Sequence, residues 1–497
     1  MIFLGIDCGT QSTKTIAIDL ETGAVLASAH QSYDFVPGLP HGAREQNPRD
    51  WIDAAQQTID SVMTELGPRR SAVRGIGVSG QQHGLVPLDA AGQVVRPAKL
   101  WCDTATAPQC ETITRHFGGE SKVIDLVGNA MLPGYTAPKI LWLRENEPEN
   151  WARTKTLLLP HDYLNFWLTG EARMEYGDAS GTALLDVKTR AWAAPMVDFL
   201  ECGDKLPALG SSAQPAGVLR EDLRHRWGLE AGVVVSAGGG DNMMAAIGTG
   251  NTSSGRVTAS LGTSGTLFAF SEKPVIDDRG EIAAFCDSTD HWLPLLCTMN
   301  VTLVTELVRG LFDWSHSALD ARVREIPAGA DGLTLLPYLT GERTPNLPHG
   351  CGVLHGLTTE NLTPAHLARA AMEGVTLGLG YGLQRLRELG VEPTEIHLTG
   401  GGSNSAAWRQ ICADVFGAPV ACLRTSEGAS LGAALQAAWA WSAAQGTGAS
   451  LAELSRGFVK TDPESEATPN PANTTLYRER IAKMTGLRTA LAGAGYL

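Results

Sequence analysis

This chain of 497 residues holds nine cysteines but not one Cys-x-x-Cys pair. An odd set scattered from Cys8 to Cys422 excludes a disulfide framework and a cysteine-built zinc site, and fits buried thiols in a reducing compartment. Basic residues are also scarce: 39 Lys and Arg face 53 Asp and Glu, a formal net charge of -14. Nucleic acid and anionic membrane both need a concentrated basic footprint, so neither is expected as a partner. No run reaches the ~20 apolar residues of a membrane span. Met1 to Leu4 are apolar, but no basic residues precede them and Asp7 interrupts, so no secretion leader is expected. Together these absences point to the cytoplasm. The GxxxxGK[ST] phosphate loop is missing too, which excludes a P-loop enzyme.

What is present is a globular composition, 43% hydrophobic and 19% charged. The length is too great for one ordinary core, so two domains are expected. Ile2 to Ile6, Thr15 to Asp19 and Ala24 to Ser28 read as a β-meander. A helix follows, with Asn47 as N-cap, Pro48 at its first position and Gly67-Pro68 at its end. Gly75 to Ser79 is a further buried strand, running into Gln81-Gln82-His83-Gly84. The opening hairpin returns as Val257 to Leu261, a Gly262-Thr263-Ser264-Gly265 turn, and Thr266 to Phe270. The halves lack extended identity, so the repeat is one of topology. The boundary is expected between 247 and 248, giving halves 1–247 and 248–497. Thr461 to Thr474 is expected to cross the surface before a final helix from Thr475.

Three glycine-rich turns carry candidate chemistry. In Asp7-Cys8-Gly9-Thr10-Gln11-Ser12-Thr13-Lys14, glycine lets backbone N–H groups face phosphate oxygens while Asp7 holds Mg2+ directly or through water. The alternative is a plain hairpin capped by its aspartate; the echo at Gly262-Thr263 favours the phosphate reading. Gly400-Gly401-Gly402-Ser403-Asn404 follows a strand and enters a helix, where a nucleoside could lie against bare backbone. Small-residue packing is the alternative there, and the better reading for Gly428 to Ala434. Asp241, after three glycines, is a base candidate or a helix cap, and both roles can coexist. A near-ordinary pKa suffices, because in phosphoryl transfer the proton leaves late. Gln82, His83, Trp101 and Asp103 are candidates for gripping sugar hydroxyls and a sugar face.

In this order the motifs resemble the FGGY carbohydrate kinases, within the actin-like ATPase superfamily. Leu132 to Trp142 resembles the family's first signature and Thr399 to Val420 its second. Gly80 to Gly84, Pro160 to Leu164, Asp178 to Thr182 and Pro337 to Pro345 are most similar to the xylulokinase branch. The resemblance implies an α/β fold of two actin-like, ribonuclease H-like domains with nucleotide and sugar in the cleft between them. It implies ATP and Mg2+ as cofactors and D-xylulose as substrate, and it allows a homodimer. Asp241 would take the sugar's proton and Asp7 would place the metal. Gly9, Thr10, Thr13, Lys14, Gly262 and Thr263 would face phosphates, and Asn300, Gly401, Gly402 and Asn404 the rest of the nucleotide. Gln82, His83, Trp101, Asp103, Asp241 and Asn242 would bind the ketose. Two positions depart from the pattern. Ala105 stands where the family often has arginine, which argues against glycerol as substrate. His161 replaces a lysine, a change read as lying behind the sugar. Another pentulose or polyol such as ribulose remains the competing substrate. A non-catalytic sensor of the same fold is the competing class, disfavoured by an intact Asp7 and Asp241.

Overall fold

The computed structural model describes residues 1–425 and 427–497. The first sheet is built on strands β1 (Ile2–Cys8), β2 (Ser12–Asp19), β3 (Ala24–Ser32), β4 (Val73–Gly80) and β5 (Val234–Val235). Their spatial order is β5-β4-β1-β2-β3, with β1 antiparallel to β2 and parallel to β4. The second sheet uses β6 (Arg256–Leu261), β7 (Gly265–Ala269), β8 (Trp292–Thr298), β9 (Glu395–Thr399) and β10 (Val420–Cys422). Its order is β8-β7-β6-β9-β10, with β6 antiparallel to β7 and parallel to β9. The two sheets thus share strand order and direction, confirming a repeat of topology.

The helices needed below are α1 (Pro48–Leu66), α2 (Pro160–Thr169), α3 (Tyr176–Ser180), α4 (Asp241–Gly248), α5 (Ala406–Phe416), α6 (Gly428–Ala444) and α7 (Pro471–Gly493). Asn47 caps α1 by accepting from the Arg49 N–H at 3.1 Å, and the helix stops at Gly67 as expected. The last helix begins at Pro471, four residues before the expected start. Asn470 caps it with the same Asn-Pro signal that marks α1.

Each sheet has its own apolar core, one around Trp51, Ile59 and Leu4, the other around Leu261, Trp408 and Phe416. One helix crosses between them. α6 lies in the second half of the sequence yet packs on β1, β4 and α4, with Ala433, Leu435 and Ala438 against Phe3, Ile16 and Met244. The approach requires bare backbone. A Cβ on Gly5 would sit 1.8 Å from the Ser430 carbonyl oxygen, one on Gly77 2.0 Å from that of Ala433, and one on Gly432 1.7 Å from that of Met244. The small residues of 428–434 are therefore packing residues.

Candidate active site

The C-terminal ends of β1 and β4 lie side by side, pairing Asp7 with Ser79 and Cys8 with Gly80. Gly239 and Gly240 extend this edge by pairing with Ser79 and Gly80, which delivers Asp241 to the same edge as the first residue of α4. Ser79 donates to Asp7 Oδ1 at 2.8 Å. Asn242 donates to Asp241 Oδ1 through its backbone N–H at 2.7 Å and its amide at 2.9 Å, and gives a further bond to Gln82 Oε1 at 2.8 Å. Gln82, Asn242 and Asp241 form one hydrogen-bonded unit. Gly240 is needed beside it, since a Cβ there would lie 2.7 Å from Gln82 Cγ.

Burial, then the neighbouring charge of Asp7, pushes the Asp241 carboxyl up to about 7, while the two Asn242 donors pull it down. This differs from the near-ordinary value expected from the sequence, because Asp7 is distant along the chain and adjacent only in the fold. Burial also raises Asp7, with Ser79 and the Lys14 charge opposing.

A cavity of about 530 Å3 opens beside Asp7, lined by Gly9, Thr10, Lys14, Trp101 and its neighbour Cys102, all in the expected stretches, and by Phe35, which was not. Trp101 Nε1 donates to Thr10 Oγ1 at 2.9 Å, and that hydroxyl donates to Gln81 Oε1 at 3.1 Å. The indole therefore braces the turn while lining the cavity. Lys14 pairs with Glu427. Thr13 does not reach the cavity: it is buried beneath the turn, donating to the Tyr33 hydroxyl, which in turn holds the Gly9 carbonyl at 2.5 Å.

His83 follows Gln82 in a left-handed conformation, φ 65°, uncommon outside glycine and often found at functional sites. Its carbonyl accepts from Thr136 Oγ1 at 3.1 Å and from the Lys139 ammonium at 2.9 Å. The imidazole packs edge-on against Tyr135 with ring centres 5.1 Å apart, and its Nδ1 is buried without a well-formed partner. Burial and the Lys139 charge hold it well below the usual histidine range, so it is neutral. Asp103, by contrast, is closed off. Its carboxylate accepts from Lys99 at 2.9 Å, the Arg44 N–H at 2.8 Å and the Ala105 N–H at 3.0 Å, and no part of it is exposed. It stabilises the loop carrying Trp101.

Behind these loops, where His161 was expected, stands a group whose pairing the sequence did not signal. His161, on α2, contacts Asp178 on α3 (Nδ1 to Oδ2, 2.6 Å) and Asp162 (Nε2 to Oδ1, 3.0 Å), all buried. Burial alone would lower its pKa, but the two carboxylates outweigh it and hold it protonated, well above the usual range. The ring is wedged under both ligand loops: a Cβ on Gly80 would meet His161 Cβ at 2.8 Å, and one on Gly238 would meet its Cδ2 at 2.9 Å. Gly181, three residues past Asp178, is pressed against the His83 ring, where a Cβ would fall 2.3 Å from Cε1. His161 thus supports the Gln82, His83 and Asp241 segments together.

In the second sheet, the Gly262-Thr263 turn is fixed from below, with its carbonyls accepting from Thr302 at 2.9 Å and Val301 at 3.1 Å. The Gly400 loop abuts it, a Cβ on Gly400 lying 2.7 Å from the Leu261 carbonyl. Gly402 is required by packing on Trp408, but around Gly401 no atom lies within 4 Å of a Cβ position. Asn404 closes the same short turn. Asn300 is turned away from the cleft, its amide tied to the Gly341 carbonyl at 2.6 Å, to Glu342 at 3.1 Å and to Thr340.

The model of the FGGY family of carbohydrate kinases, N-terminal domain, matches residues 2–248, and that of its C-terminal domain matches 257–441. The chain belongs to the FGGY carbohydrate kinases. Among its FGGY relatives, the xylulose kinase of Haemophilus influenzae is 41% identical over 485 residues, 96% of this chain and 97% of that one. The crystal structure of a xyloylose kinase from Brucella ovis superposes with a TM-score of 0.92 at 32% identity, covering 99% and 100% of the two chains. A gluconate kinase from Lactobacillus acidophilus also reaches 0.92, at 25% identity over 99% and 98%. The architecture is that of the actin-like ATPases, two α/β halves around a cleft. Among the described residues no helix is long and apolar enough to cross a membrane.

Proposed function

We propose that this FGGY kinase transfers the γ-phosphate of ATP to the 5-hydroxyl of D-xylulose, giving D-xylulose 5-phosphate in the cytoplasm. The observation that carries the chemistry is the placing of Asp241 at the cleft edge, raised to about 7 beside Asp7 and aimed by Asn242 and Gln82. A general base works best when its pKa lies near the operating pH. Asp241 accepts the hydroxyl proton, and the freed oxygen attacks the phosphorus in line. Neutral His83 and the Gln82–Asn242 pair orient the ketose, and the Trp101 indole lies against it.

The nucleotide spans the two matched turns. The Thr10 hydroxyl is already engaged, and the Gly9 N–H is held by the Ser12 carbonyl at 3.0 Å. Phosphate contact at this turn therefore rests on the Thr10 N–H and the close approach that Gly9 allows, with Lys14 exchanging its Glu427 partner for the phosphate. Gly262 and Thr263 approach from the other half. Gly401 serves the nucleoside: its Cβ position faces open space, so the bare backbone leaves room for a ligand there. Mg2+ fits Asp7, a hard-oxygen donor on the cavity wall. No cluster of three His, Cys, Asp or Glu ligands exists among the described residues, which suits an ion completed by phosphates and water. When bound it would neutralise charge on the transferred phosphate. We place the division between the halves after Ile247.

The substrate is the finer part of the proposal, since the gluconate kinase shows this fold accepting another sugar class. A coupled ADP-release assay with MgATP and D-xylulose, D- and L-ribulose, L-xylulose, glycerol and gluconate tests it. Preference for D-xylulose sustains the assignment. Preference for another sugar leaves Asp241 as base and relocates the error to the Gln82–His83 pocket, and inactivity on every sugar with nucleotide bound supports a sensor.

A further inference from the structure

A second cavity, also of about 530 Å3, lies at the opposite ends of the same second-sheet strands. Its walls include Arg256, Glu395, His397, Arg424, Arg456 and Lys460. Arg256 and Glu395 are paired across β6 and β9 four residues before Ser260 and Thr399, so roughly 13 Å of strand separates this cavity from the glycine turns. Four cationic side chains thus line it with one carboxylate, Arg256 held in place and Arg424, Arg456 and Lys460 exposed, in a chain whose net charge is -14. Arg256 and His397 are engaged with that carboxylate at 3.3 and 3.1 Å. Arg424, Arg456 and Lys460 form no ion pair among the described residues. Cations serving only solubility gain nothing by converging on a concavity, where they repel one another.

The cavity is also tied to the catalytic edge. Helix α4 begins at Asp241, and the two residues after its end form the cavity's anchor. The Thr249 carbonyl accepts from His397 Nδ1 at 2.8 Å, and the Gly250 carbonyl from Arg256 at 2.6 Å. Eight helical residues span about 12 Å. This is also where the chain passes from the first half to the second.

We propose that this cavity is an effector site for a small organic phosphate bearing two or more negative charges. The volume suits a metabolite-sized ligand. A bound phosphate group would cross-link Arg424, Arg456 and Lys460 to the Arg256 strand, through charge-assisted bonds. It would thereby restrain the passage between the halves and, through α4, the position of Asp241.

The test is calorimetric titration of inorganic phosphate and pyrophosphate into the full chain, with the cleft filled by ADP. The expected result is one site per chain, tighter for pyrophosphate than for phosphate. Replacing both Arg424→Ala and Lys460→Ala should weaken it at least about tenfold, with kcat and sugar KM measured without pyrophosphate unchanged. Glu395→Gln, which removes the one carboxylate and releases Arg256 from its partner, should tighten it. Absence of binding to the wild type overturns the proposal. So does equal binding to the double variant, which would assign the anion to the cleft, and so does weakening by Glu395→Gln.

Discussion

The two halves present the same frame with opposite chemistry. Asp7 and Ser260 occupy matching places, each two residues before a Gly-Thr turn and each paired with the last turn of a parallel strand, at Ser79 and Thr399 respectively. In the first half that position is a desolvated carboxylate, with Asp241, Asp178 and protonated His161 behind it. In the second it is a hydroxyl, and the neighbouring loop is glycine. Topology puts a Gly-Thr turn at the same place in each sheet; under the proposed function, residue type would leave one side to move a proton and the other to cradle a nucleotide.

The sharpest break of this comparison is Asp241→Ala. We expect kcat to fall by roughly two to four orders of magnitude, because the base is removed, while ADP binding by calorimetry stays at wild-type affinity. A rate within tenfold of wild type would remove the charged half's distinction. The wild-type pH profile carries the same assignment. Asp241 must be ionised, so kcat/KM should fall as pH drops through about 7. The sign for stability is opposite. A carboxyl raised in the folded state binds protons there more readily than in the unfolded chain, so its contribution declines as pH rises from the ordinary carboxylate range to about 7. Asp241→Asn should therefore melt a few degrees above wild type at pH 8 without ligand, and an unchanged or lower melting temperature would argue against a desolvated carboxylate.

Next in size is Asp7→Asn, expected to cost roughly a hundredfold in kcat and to move the acid limb to lower pH, since one source of the Asp241 shift is gone. A limb that stays in place would separate the two carboxylates. His83→Ala should raise sugar KM about tenfold, the loss of one or two hydrogen bonds, with nucleotide affinity unchanged; an unaltered KM would return His83 to a packing role. Ser260→Ala should be the mildest, changing kcat/KM less than about threefold. A loss comparable with Asp7→Asn would show that the matched positions share a function after all.

The strands, the two turns and α1 were readable because apolar runs, glycine and Asn-Pro act locally. Positions at the edge of the sheet were readable as far as they depend on sequence neighbours, as with Asp241, which three glycines deliver to the end of the strands. Thr13 was misjudged because its side of the hairpin depends on strand phase and on Tyr33, twenty residues away. Asn300 and Asp103 looked available because the groups that satisfy them, at 340–342 and at Lys99 and Arg44, are supplied by folding. His161 and Asp178 lay in recognised motifs, but their pairing is made only by folding, and so are the burial and then the neighbouring Asp7 charge that raise Asp241 to about 7.

Helix α6 has a consequence for how the protein is made. The opening strands leave the ribosome early, yet the helix that covers one face of their sheet starts at residue 428. At ordinary synthesis speeds the roughly 400 intervening residues take about 20 to 80 s. Through that interval Phe3, Ile16 and Ile18 lack their partners, so the nascent chain should depend on chaperones until its final stretch emerges. A version truncated before α6 should aggregate rather than yield a usable first half.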